Sequence, residues 1–397
     1  MTAQLADADR EYLKQALELA EGGRGRVSPN PLVGAVVVRD GDVLGAGFHA
    51  RLGDLHAERA ALADCRERGH DPAGAAMYVT LEPCAHRGRQ PACTEAILEA
   101  GLSRVVIASE DPTEKASGRG PGILREAGIE VTFASGDEAT AARLLNQPFR
   151  KHARSGLPLV VLKIAMSLDG RTATPAGESP WISGEASRAL VHSWRAESDA
   201  IAVGIGTALA DDPLLTARSE EAAGGDPTGQ PLRVVFDSRA RLPLDSQLLR
   251  TLEQAPVLIA ASQEADPDRL AALREAGAET LVAAGATAAE RIASMLADLG
   301  RRQITSLFLE GGATLASSFI AADQVDEART FVTPVLLGST GDSRAGGAAA
   351  GDPHGGGQVS EHMGDTAVTG PARRDALSST SETVGDDVLI KARFKEW

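Results

Sequence analysis

The 397-residue sequence has only three cysteines, few aromatic residues and no long apolar run. No run approaches the ~20 apolar residues of a membrane-spanning helix, so no membrane partner is expected. The N-terminus lacks the charged-then-apolar pattern of a secretory signal. Two of the three cysteines are assigned to a metal below, which leaves no pair for a structural disulfide and indicates a reducing compartment. These absences together predict a cytoplasmic protein.

Positive charge is also scarce, because the formal net charge is −15. Binding to a polyanion requires clustered lysine and arginine, and the sequence has no long basic run. We therefore expect a small-molecule substrate and no nucleic-acid partner, although a local basic pocket could still hold one phosphate. The length favours two domains.

One group of residues supplies the parts of a metal centre. His56-Ala57-Glu58 is followed by Pro83-Cys84 and later by Cys93. One imidazole and two thiolates are three ligands for tetrahedral zinc and leave the fourth position for water, whose pKa the metal pulls towards neutrality. Glu58 lies near the metal without binding it and can carry a proton from water to a leaving amine, as in zinc nucleobase deaminases. The sequence therefore predicts a zinc-dependent deaminase with Glu58 as its catalytic residue.

The spacing of the two cysteine ligands departs from the commonest deaminase signature. That signature has the cysteines three apart, whereas eight residues separate Cys84 from Cys93. Gly88 and Pro91 prevent a continuous helix here, so we predict a loop after Cys84. A helix would then start at Cys93, where its N-terminus favours the thiolate. The alternative is a chance grouping of these residue types. Cys65 is predicted to be a small buried side chain instead of a ligand.

Strands alternate with helices along the chain, which predicts an α/β sandwich covered on both faces. Residues 1–146 form the predicted zinc-dependent domain, 147–158 a Pro- and Gly-containing linker, and 159–397 a second α/β domain. Helices of the second domain are predicted at 184–196, 268–276, 288–299 and 313–322. Residues 338–386 are rich in Gly, Ser, Ala and Asp with little apolar periodicity, and we predict a mobile Gly-rich insertion there.

The second domain has no dinucleotide-binding fingerprint. Gly204-Ile205-Gly206 lacks the third glycine and the strand-to-helix setting that this fingerprint requires. Glu310-Gly311-Gly312 instead joins a strand end to a helix start, a suitable cradle for cofactor phosphates. A plain turn between a strand and a helix explains the same residues equally well.

Motifs in both halves of the chain carry a resemblance to a known family. They are Asn30-Pro31-x-Val33-Gly34, His56-Ala57-Glu58, Pro83-Cys84 with its spacer to Cys93, Gly118-Arg119-Gly120, Lys163-x-Ala165-x-Ser167-x-Asp169-Gly170, Gly177-Glu178-Ser179-x-Trp181-Ile182, Thr207-x-x-Ala210-Asp211-Asp212-Pro213-x-Leu215-Thr216-x-Arg218 and Glu310-Gly311-Gly312. The chain resembles the bifunctional deaminase–reductases of riboflavin biosynthesis nearly from end to end, and the wide cysteine spacer is the one that this family uses.

The resemblance implies a fold and two successive reactions. The fold is a cytidine-deaminase-like three-layer domain followed by a dihydrofolate-reductase-like α/β domain. The reactions are hydrolytic deamination of 2,5-diamino-6-ribosylamino-4(3H)-pyrimidinone 5′-phosphate and NADPH-dependent reduction of its ribosyl side chain to ribityl. One Zn²⁺ per chain is implied at His56, Cys84 and Cys93. The implied cofactor-binding residues are Ala165, Trp181, Thr207, Asp211, Ser238, Gly312, Ala313, Thr314, Leu315, Ala316, Ser317 and Ser318. The implied substrate-binding residues are Ser179, Arg195, Leu215, Arg218 and Glu310.

Simpler explanations exist for several of these roles. Arg195 and Arg218 suit phosphate oxygens, yet either could form an ordinary surface ion pair. Trp181 could serve packing alone. Two alternative functions stay open: a zinc deaminase for a free nucleoside or tRNA with an unrelated second domain, and a catalytically inactive binding protein. The sequence does not determine the oligomeric state, and a homo-oligomer is left open.

The residues that follow the predicted strand 233–236 indicate which nicotinamide cofactor the second domain uses. The resemblance places Ser238, just after the predicted strand 233–236, near the cofactor, and Arg239 and Arg241 follow it. A hydroxyl and two guanidinium groups suit the 2′-phosphate of NADPH, whereas NAD sites place a carboxylate on the 2′-hydroxyl. We therefore predict selectivity for NADPH. The alternative is that both arginines are solvated turn residues.

Overall fold

The computed structural model describes residues 5–86, 91–113, 117–172, 182–218, 229–338 and 374–397. The chain divides into two compact units. The first unit comprises Met1–Leu159, Leu299–Thr305 and Glu396–Trp397, and the second comprises Val160–Asp298 and Ser306–Lys395.

The described residues of the first unit form a five-stranded sheet with helices on both faces. Its elements are α1 (Asp7–Glu21), β1 (Gly34–Arg39), β2 (Asp42–Phe48), α2 (Ala57–Glu67), β3 (Ala76–Val79), α3 (Cys93–Glu99), β4 (Arg104–Ile107), α4 (Arg119–Glu126), β5 (Glu130–Phe133), α5 (Asp137–Leu145) and α6 (Gln147–Ser155). The strand order is β2-β1-β3-β4-β5. β1 runs antiparallel to β2 and β3, and β3, β4 and β5 are parallel.

Alternate residues of the central strands face opposite helical layers. Ala35 and Val37 of β1 pack in one cluster with residues of α2, α3 and α4, whereas Val36 and Val38 pack with residues of α1 and α5. This period of two buries both faces of the sheet. The predicted three-layer α/β fold is therefore confirmed.

Close packing of α2 on β2 fixes where α2 begins. A Cβ atom on Gly47 would lie 2.5 Å from the backbone nitrogen of Ala61, so any larger residue would push the helix off the strand. His56 is the residue before the first turn of α2 and has an extended backbone. Its imidazole is thus held at the end of a helix whose position the sheet determines.

The described residues of the second unit form a nine-stranded sheet in the order β10-β9-β8-β7-β11-β6-β12-β14-β13. Its elements are β6 (Leu159–Ser167), α7 (Glu185–Glu197), β7 (Ala200–Gly204), α8 (Ile205–Asp211), β8 (Leu232–Phe236), α9 (Gln247–Arg250), β9 (Val257–Ala261), α10 (Pro267–Glu275), β10 (Glu279–Val282), α11 (Ala288–Arg301), β11 (Ser306–Leu309), α12 (Ala313–Ala321), β12 (Glu327–Thr333), β13 (Ser378–Val384) and β14 (Asp387–Arg393). Neighbours from β10 to β11 pair in parallel, as do β6 and β12. β14 pairs antiparallel with β12 and β13.

Residues 147–155 of the predicted linker 147–158 form α6, a helix that the sequence analysis did not predict. Pro148 lies in the first turn of α6, where its missing N–H costs nothing. Gly156 follows the last turn with φ +71°, the left-handed conformation that commonly ends a helix. Both residues therefore mark the ends of a helix, and the boundary between the two units follows at Leu159.

The prediction of a mobile insertion at 338–386 was wrong for residues 378–384, which form β13. Almost every residue of β13 is exposed, so the strand has no apolar alternation that the sequence could reveal. Residues 339–373 lie outside the described residues. Within the described parts of the chain, no helix combines the length and the apolar character needed to cross a bilayer.

Candidate active sites

Three elements of the first unit bring the predicted zinc ligands together. His56 precedes α2, Cys84 follows β3, and Cys93 is the first residue of α3. The Cys93 backbone N–H donates to Cys84 Sγ at 3.3 Å, and the Thr94 N–H donates to the Cys84 carbonyl at 3.2 Å. The predicted helix start at Cys93 is confirmed. Residues 87–90 of the spacer lie outside the described residues.

The ligand atoms fit a tetrahedral zinc ion. Zinc–sulfur bonds of about 2.3 Å and zinc–nitrogen bonds of about 2.0 Å at tetrahedral angles require sulfur-to-nitrogen distances of about 3.6 Å. Nδ1 of His56 lies 3.7 Å from Cys84 Sγ and 3.3 Å from Cys93 Sγ. All three ligand atoms lie within 4.8 Å of one another. The donor set and its spacing are therefore those of a three-ligand zinc site.

The two thiols of this site differ in acidity. The hydrogen bond from the Cys93 thiol is the main cause that lowers the pKa of Cys84 to about 4. The same pairing raises the pKa of Cys93. The pairing therefore favours the thiolate at Cys84, and a zinc ion held by both sulfurs would require Cys93 to be deprotonated as well.

Glu58 lies in the first turn of α2 with its side chain buried at 3% exposure. Burial is the main cause that raises the pKa of its carboxyl group above the ordinary range. A raised pKa suits a group that must both accept and return a proton near neutral pH. Cys65, further along α2, is fully buried in the core, as predicted.

The side chains of His49 and Asn30 lie beside the zinc ligands and are held in place by hydrogen bonds. Nδ1 of His49 donates to the Leu55 carbonyl at 3.0 Å, which leaves Nε2 to accept from the Asn30 amide at 3.1 Å. Burial is the main cause that lowers the pKa of His49, so the ring is neutral. It packs edge-on against His56, with the ring centroids 5.5 Å apart.

These groups open onto one cavity of about 490 Å³ in the first unit. The cavity is also lined by Glu82, Asp111 and Gln303, none of which the sequence motifs indicated as site residues. Glu82 is 4% exposed, and its Oε1 has no hydrogen-bond partner within the described chain. Its Oε2 accepts from the Asp111 N–H at 3.5 Å. Glu82 thus ties the segment before Cys84 to the loop after β4.

The second unit has a cavity of about 430 Å³ at the ends of its parallel strands. Of the predicted cofactor-binding residues, it is lined by Ser238, Thr314, Leu315 and Ser318. Thr207 lies against Gly312, because a Cβ on that glycine would be 3.3 Å from Thr207 Oγ1.

Other predicted cofactor residues do not line this cavity. They are Ala165 on β6, Asp211 at the end of α8, and Gly312, Ala313, Ala316 and Ser317 around the start of α12. Ala316 is buried at 7% exposure. Trp181 and Ser179 lie outside the described residues. The roles of all these residues stay predictions.

The predicted substrate residues Arg195 and Glu310 pair with each other. Nε and Nη2 of Arg195 donate to the two carboxylate oxygens of Glu310 at 2.6 and 3.0 Å. Although burial alone would raise it, the adjacent guanidinium holds the pKa of Glu310 below its ordinary range. Near this pair, burial lowers the pKa of Lys163, a residue that the sequence motifs contained but did not assign to a site.

Side chains hold the loop between α8 and β8 in a strained backbone. Leu215 has φ +53°, a conformation that disfavours residues with a side chain. Nη1 of Arg233 donates to the neighbouring Leu214 carbonyl at 3.1 Å, and Nη1 of Arg195 donates to the Thr216 carbonyl at 3.3 Å. Leu215 as a whole is 3% exposed and belongs to the core, so its predicted contact with a substrate stays a prediction. Arg218 is exposed.

The two units define a class of protein: a zinc-dependent deaminase centre joined to a second α/β unit with a cavity of cofactor size. Family models agree with this division. The model described as the cytidine and deoxycytidylate deaminase zinc-binding region matches residues 6–109, and the model described as the RibD C-terminal domain matches residues 158–350.

Curated relatives and solved structures match nearly the whole chain. The riboflavin biosynthesis protein RibD of Actinobacillus pleuropneumoniae is 38% identical over 96% of this chain and 94% of its own length. The RibD protein of Escherichia coli K12 is 39% identical over 83% of this chain and 89% of its own. The structure of Acinetobacter baumannii RibD, form 1, has a TM-score of 0.78 at 37% identity and covers 98% of this chain and 99% of its own. The chain therefore belongs to the RibD family of bifunctional deaminase–reductases in riboflavin biosynthesis.

A second similar structure has an explicit chemical description. It is the diaminohydroxyphosphoribosylaminopyrimidine deaminase/5-amino-6-(5-phosphoribosylamino)uracil reductase of Thermotoga maritima, with a TM-score of 0.78 at 32% identity. It covers 98% of this chain and 99% of its own length.

Proposed function

We propose that the first unit deaminates 2,5-diamino-6-ribosylamino-4(3H)-pyrimidinone 5′-phosphate and that the second reduces the resulting ribosylaminouracil with NADPH. The observation that carries the proposal is the meeting of three zinc-ligand atoms within 4.8 Å beside a buried carboxylate. His56, Cys84 and Cys93 would hold the ion, which supplies Lewis acidity toward water. We also propose 1–146 as the deaminase domain, 159–397 as the reductase domain, and the cytoplasm as the compartment.

Glu58 is the proton carrier in this proposal. Its carboxylate accepts a proton from the attacking water and then delivers it to the leaving amine, so the carbon–nitrogen bond breaks as a carbon–oxygen bond forms. Burial beside the zinc ligands excludes bulk water from this transfer. Both ring nitrogens of His49 are already engaged, Nδ1 with the Leu55 carbonyl and Nε2 with the Asn30 amide, so neither is free to take this proton from Glu58.

The second cavity supports NADPH as the reductant. Its middle is apolar, with Ala260, Ala283 and Met295 among its lining residues. Ser238, Arg239, Arg241 and Arg291 also line it, and together they provide donors for a phosphate dianion. A hydride from the nicotinamide and one proton from solvent would convert the ribosyl side chain to ribityl.

The direct test uses the full-length protein and the diaminopyrimidinone ribosyl phosphate, with and without NADPH, and identifies the products by mass. We expect the deaminated uracil without NADPH and its ribityl product with NADPH. The matched control is Glu58→Gln, which should form neither product from this substrate yet still reduce the supplied uracil. If the wild-type protein converts the substrate under neither condition, the proposed function is wrong.

A further inference from the structure

The first unit contains seven residues from the second half of the sequence, Leu299–Thr305. This segment lies between the last turns of α11 and the start of β11. The sequence around it is matched by the RibD C-terminal model, and the deaminase model ends at residue 109. Yet Gln303 of this segment lines the cavity that holds the zinc ligands and Glu58.

Contacts within the first unit fix both ends of the segment. His152 Nε2 donates to the Gly300 carbonyl at 2.9 Å. A Cβ on Gly300 would lie 1.7 Å from the Gly156 carbonyl oxygen, so only glycine permits this approach. At the other end, the hydroxyl groups of Thr305 and Ser28 are 3.2 Å apart. Ser28 directly precedes Pro29, Asn30 and Pro31, which line the cavity. The segment is therefore held beside these three residues.

The backbone conformation at Gln303 does not favour a residue with a side chain. Its N–H donates to the Gly300 carbonyl at 2.9 Å in a tight turn, and its φ is +63°. Glycine adopts this conformation freely, whereas other L-residues are strained there. The Gln303 side chain is exposed and faces the cavity, and it has no hydrogen-bond partner within the described residues. Its amide is thus available to a ligand.

We propose that Gln303 binds the ribosyl phosphate end of the deaminase substrate. The inference rests on the proposed deaminase function. Glu58 is buried at the reacting end of the cavity, whereas Gln303 is exposed at its mouth. A substrate with its amine beside Glu58 therefore directs its ribosyl phosphate towards the mouth. The two N–H donors of the amide match sugar hydroxyls and phosphate oxygens.

The test compares Gln303→Gly and Gln303→Glu with wild type in the zinc-loaded, full-length protein. We expect Gln303→Gly to raise the KM for deamination about 5- to 10-fold, where tenfold is about 1.4 kcal/mol. Its kcat, zinc content and reductase activity should not change, and its thermal stability should be equal or higher because glycine relieves the turn. Gln303→Glu should raise KM further, since a carboxylate repels phosphate. Asp40→Gly, at a turn residue of the first unit with φ +55°, is the matched control and should leave KM unchanged.

A second measurement separates the two ends of the substrate. The free diaminopyrimidinone base, which lacks the ribosyl phosphate, should inhibit wild type and Gln303→Gly with the same constant. If Gln303→Gly weakened the binding of the free base and of the substrate equally, the inference would be overturned. A KM within twofold of wild type in both variants would also overturn it. If wild type does not deaminate the substrate at all, the proposed function and this inference fall together.

Discussion

The two cavities of this protein are built in different ways. In the first unit, donor atoms from two helix starts and one strand end converge within 4.8 Å on a point that a metal can occupy. In the second, Ser238, Thr314 and Ser318 are spread along a cavity, and the buried pair between Arg195 and Glu310 is not among the residues that line it. Metal coordination demands particular residue types at short range, whereas a cofactor cavity demands mainly shape. The first site is therefore easier to recognise in a sequence.

The largest expected effect comes from removing both thiolates of the first site. Cys84→Ser/Cys93→Ser should reduce zinc from one ion per chain to near none and abolish deamination, because two of three ligands are lost. Reduction of the supplied uracil should persist, because none of the three ligands belongs to the second unit. Elemental analysis and the two activity assays check this. Cys65→Ala, at a buried non-ligand cysteine, should keep its zinc. A double variant that kept its full zinc content would contradict the assignment of these two cysteines as zinc ligands.

An intermediate effect is expected from breaking the buried ion pair of the second unit. Glu310→Gln leaves the Arg195 guanidinium, 13% exposed, without its carboxylate. Losing one partner of a buried pair typically costs about 3–5 kcal/mol, so denaturant unfolding of the second unit should shift and reductase activity should fall. Glu382→Gln is the control, because its pair with Lys391 is exposed and such pairs are worth about 0–1 kcal/mol. Equal shifts in the two variants would show that burial is irrelevant here.

The same pair predicts a pH dependence. The pKa of Glu310 is lower in the folded protein than its ordinary value of 4.5. The stabilisation is therefore fully present above that value and is lost as the pH falls through the lower folded pKa. We expect the unfolding free energy of wild type to decline more steeply below pH 4.5 than that of Glu310→Gln. Parallel pH profiles would mean that another carboxylate controls acid stability.

The smallest expected effect concerns cofactor selection in the second cavity. Ser238→Ala/Arg239→Ala/Arg241→Ala should raise the KM for NADPH about 10-fold more than that for NADH, the value of one charge-assisted contact. We expect the low end of a 10- to 100-fold range because Arg239 and Arg241 are 72% and 56% exposed. Arg250→Ala, at an exposed arginine outside this cavity, is the control. Equal rises for both cofactors would place the selectivity elsewhere.

Arg291 is a further candidate for the 2′-phosphate contact. Its guanidinium is oriented by a hydrogen bond from Nη1 to the Ala286 carbonyl at 2.9 Å. Arg291 lines the same cavity as Ser238 but lies on α11, some fifty residues further along the chain. No local motif connects the two positions. The sequence therefore indicated Ser238, Arg239 and Arg241 but gave no signal for Arg291.

What the sequence revealed depended on how local the signal was. His56, Cys84 and Cys93 were predicted correctly as neighbours because ligand chemistry restricts residue type and a helix start follows two of them. The turn at Asp40-Gly41, with φ of +55° and +90°, likewise depends on two adjacent residues, because Asp-Gly is typical of a tight hairpin turn. Gln303 gave no signal, because its place in the first unit depends on tertiary contacts of residues far away in sequence.

The errors have equally specific causes. α6 was missed because Pro148 and Gly156 suggest a break unless their positions at the two ends of a helix are recognised. β13 has no apolar face, since it lies at the outer edge of its sheet. The short helices α8 and α9 were missed because seven and four residues are too few to show a helical period. Leu215 is buried in the core, and its contact with a substrate stays a prediction.

The placement of residues 299–305 also affects how the protein is made. Leu159 is synthesised about 140 residues before Leu299. At 5–20 residues per second, the ribosome needs roughly 7–30 s to add the residues between them. During that interval the nascent first unit lacks the partners of Ser28 and His152 and the cavity-lining Gln303. The deaminase half is thus translated first but completed late. Slowing translation between 160 and 299 prolongs this unfinished state, and a chaperone that protects exposed surface is most useful then.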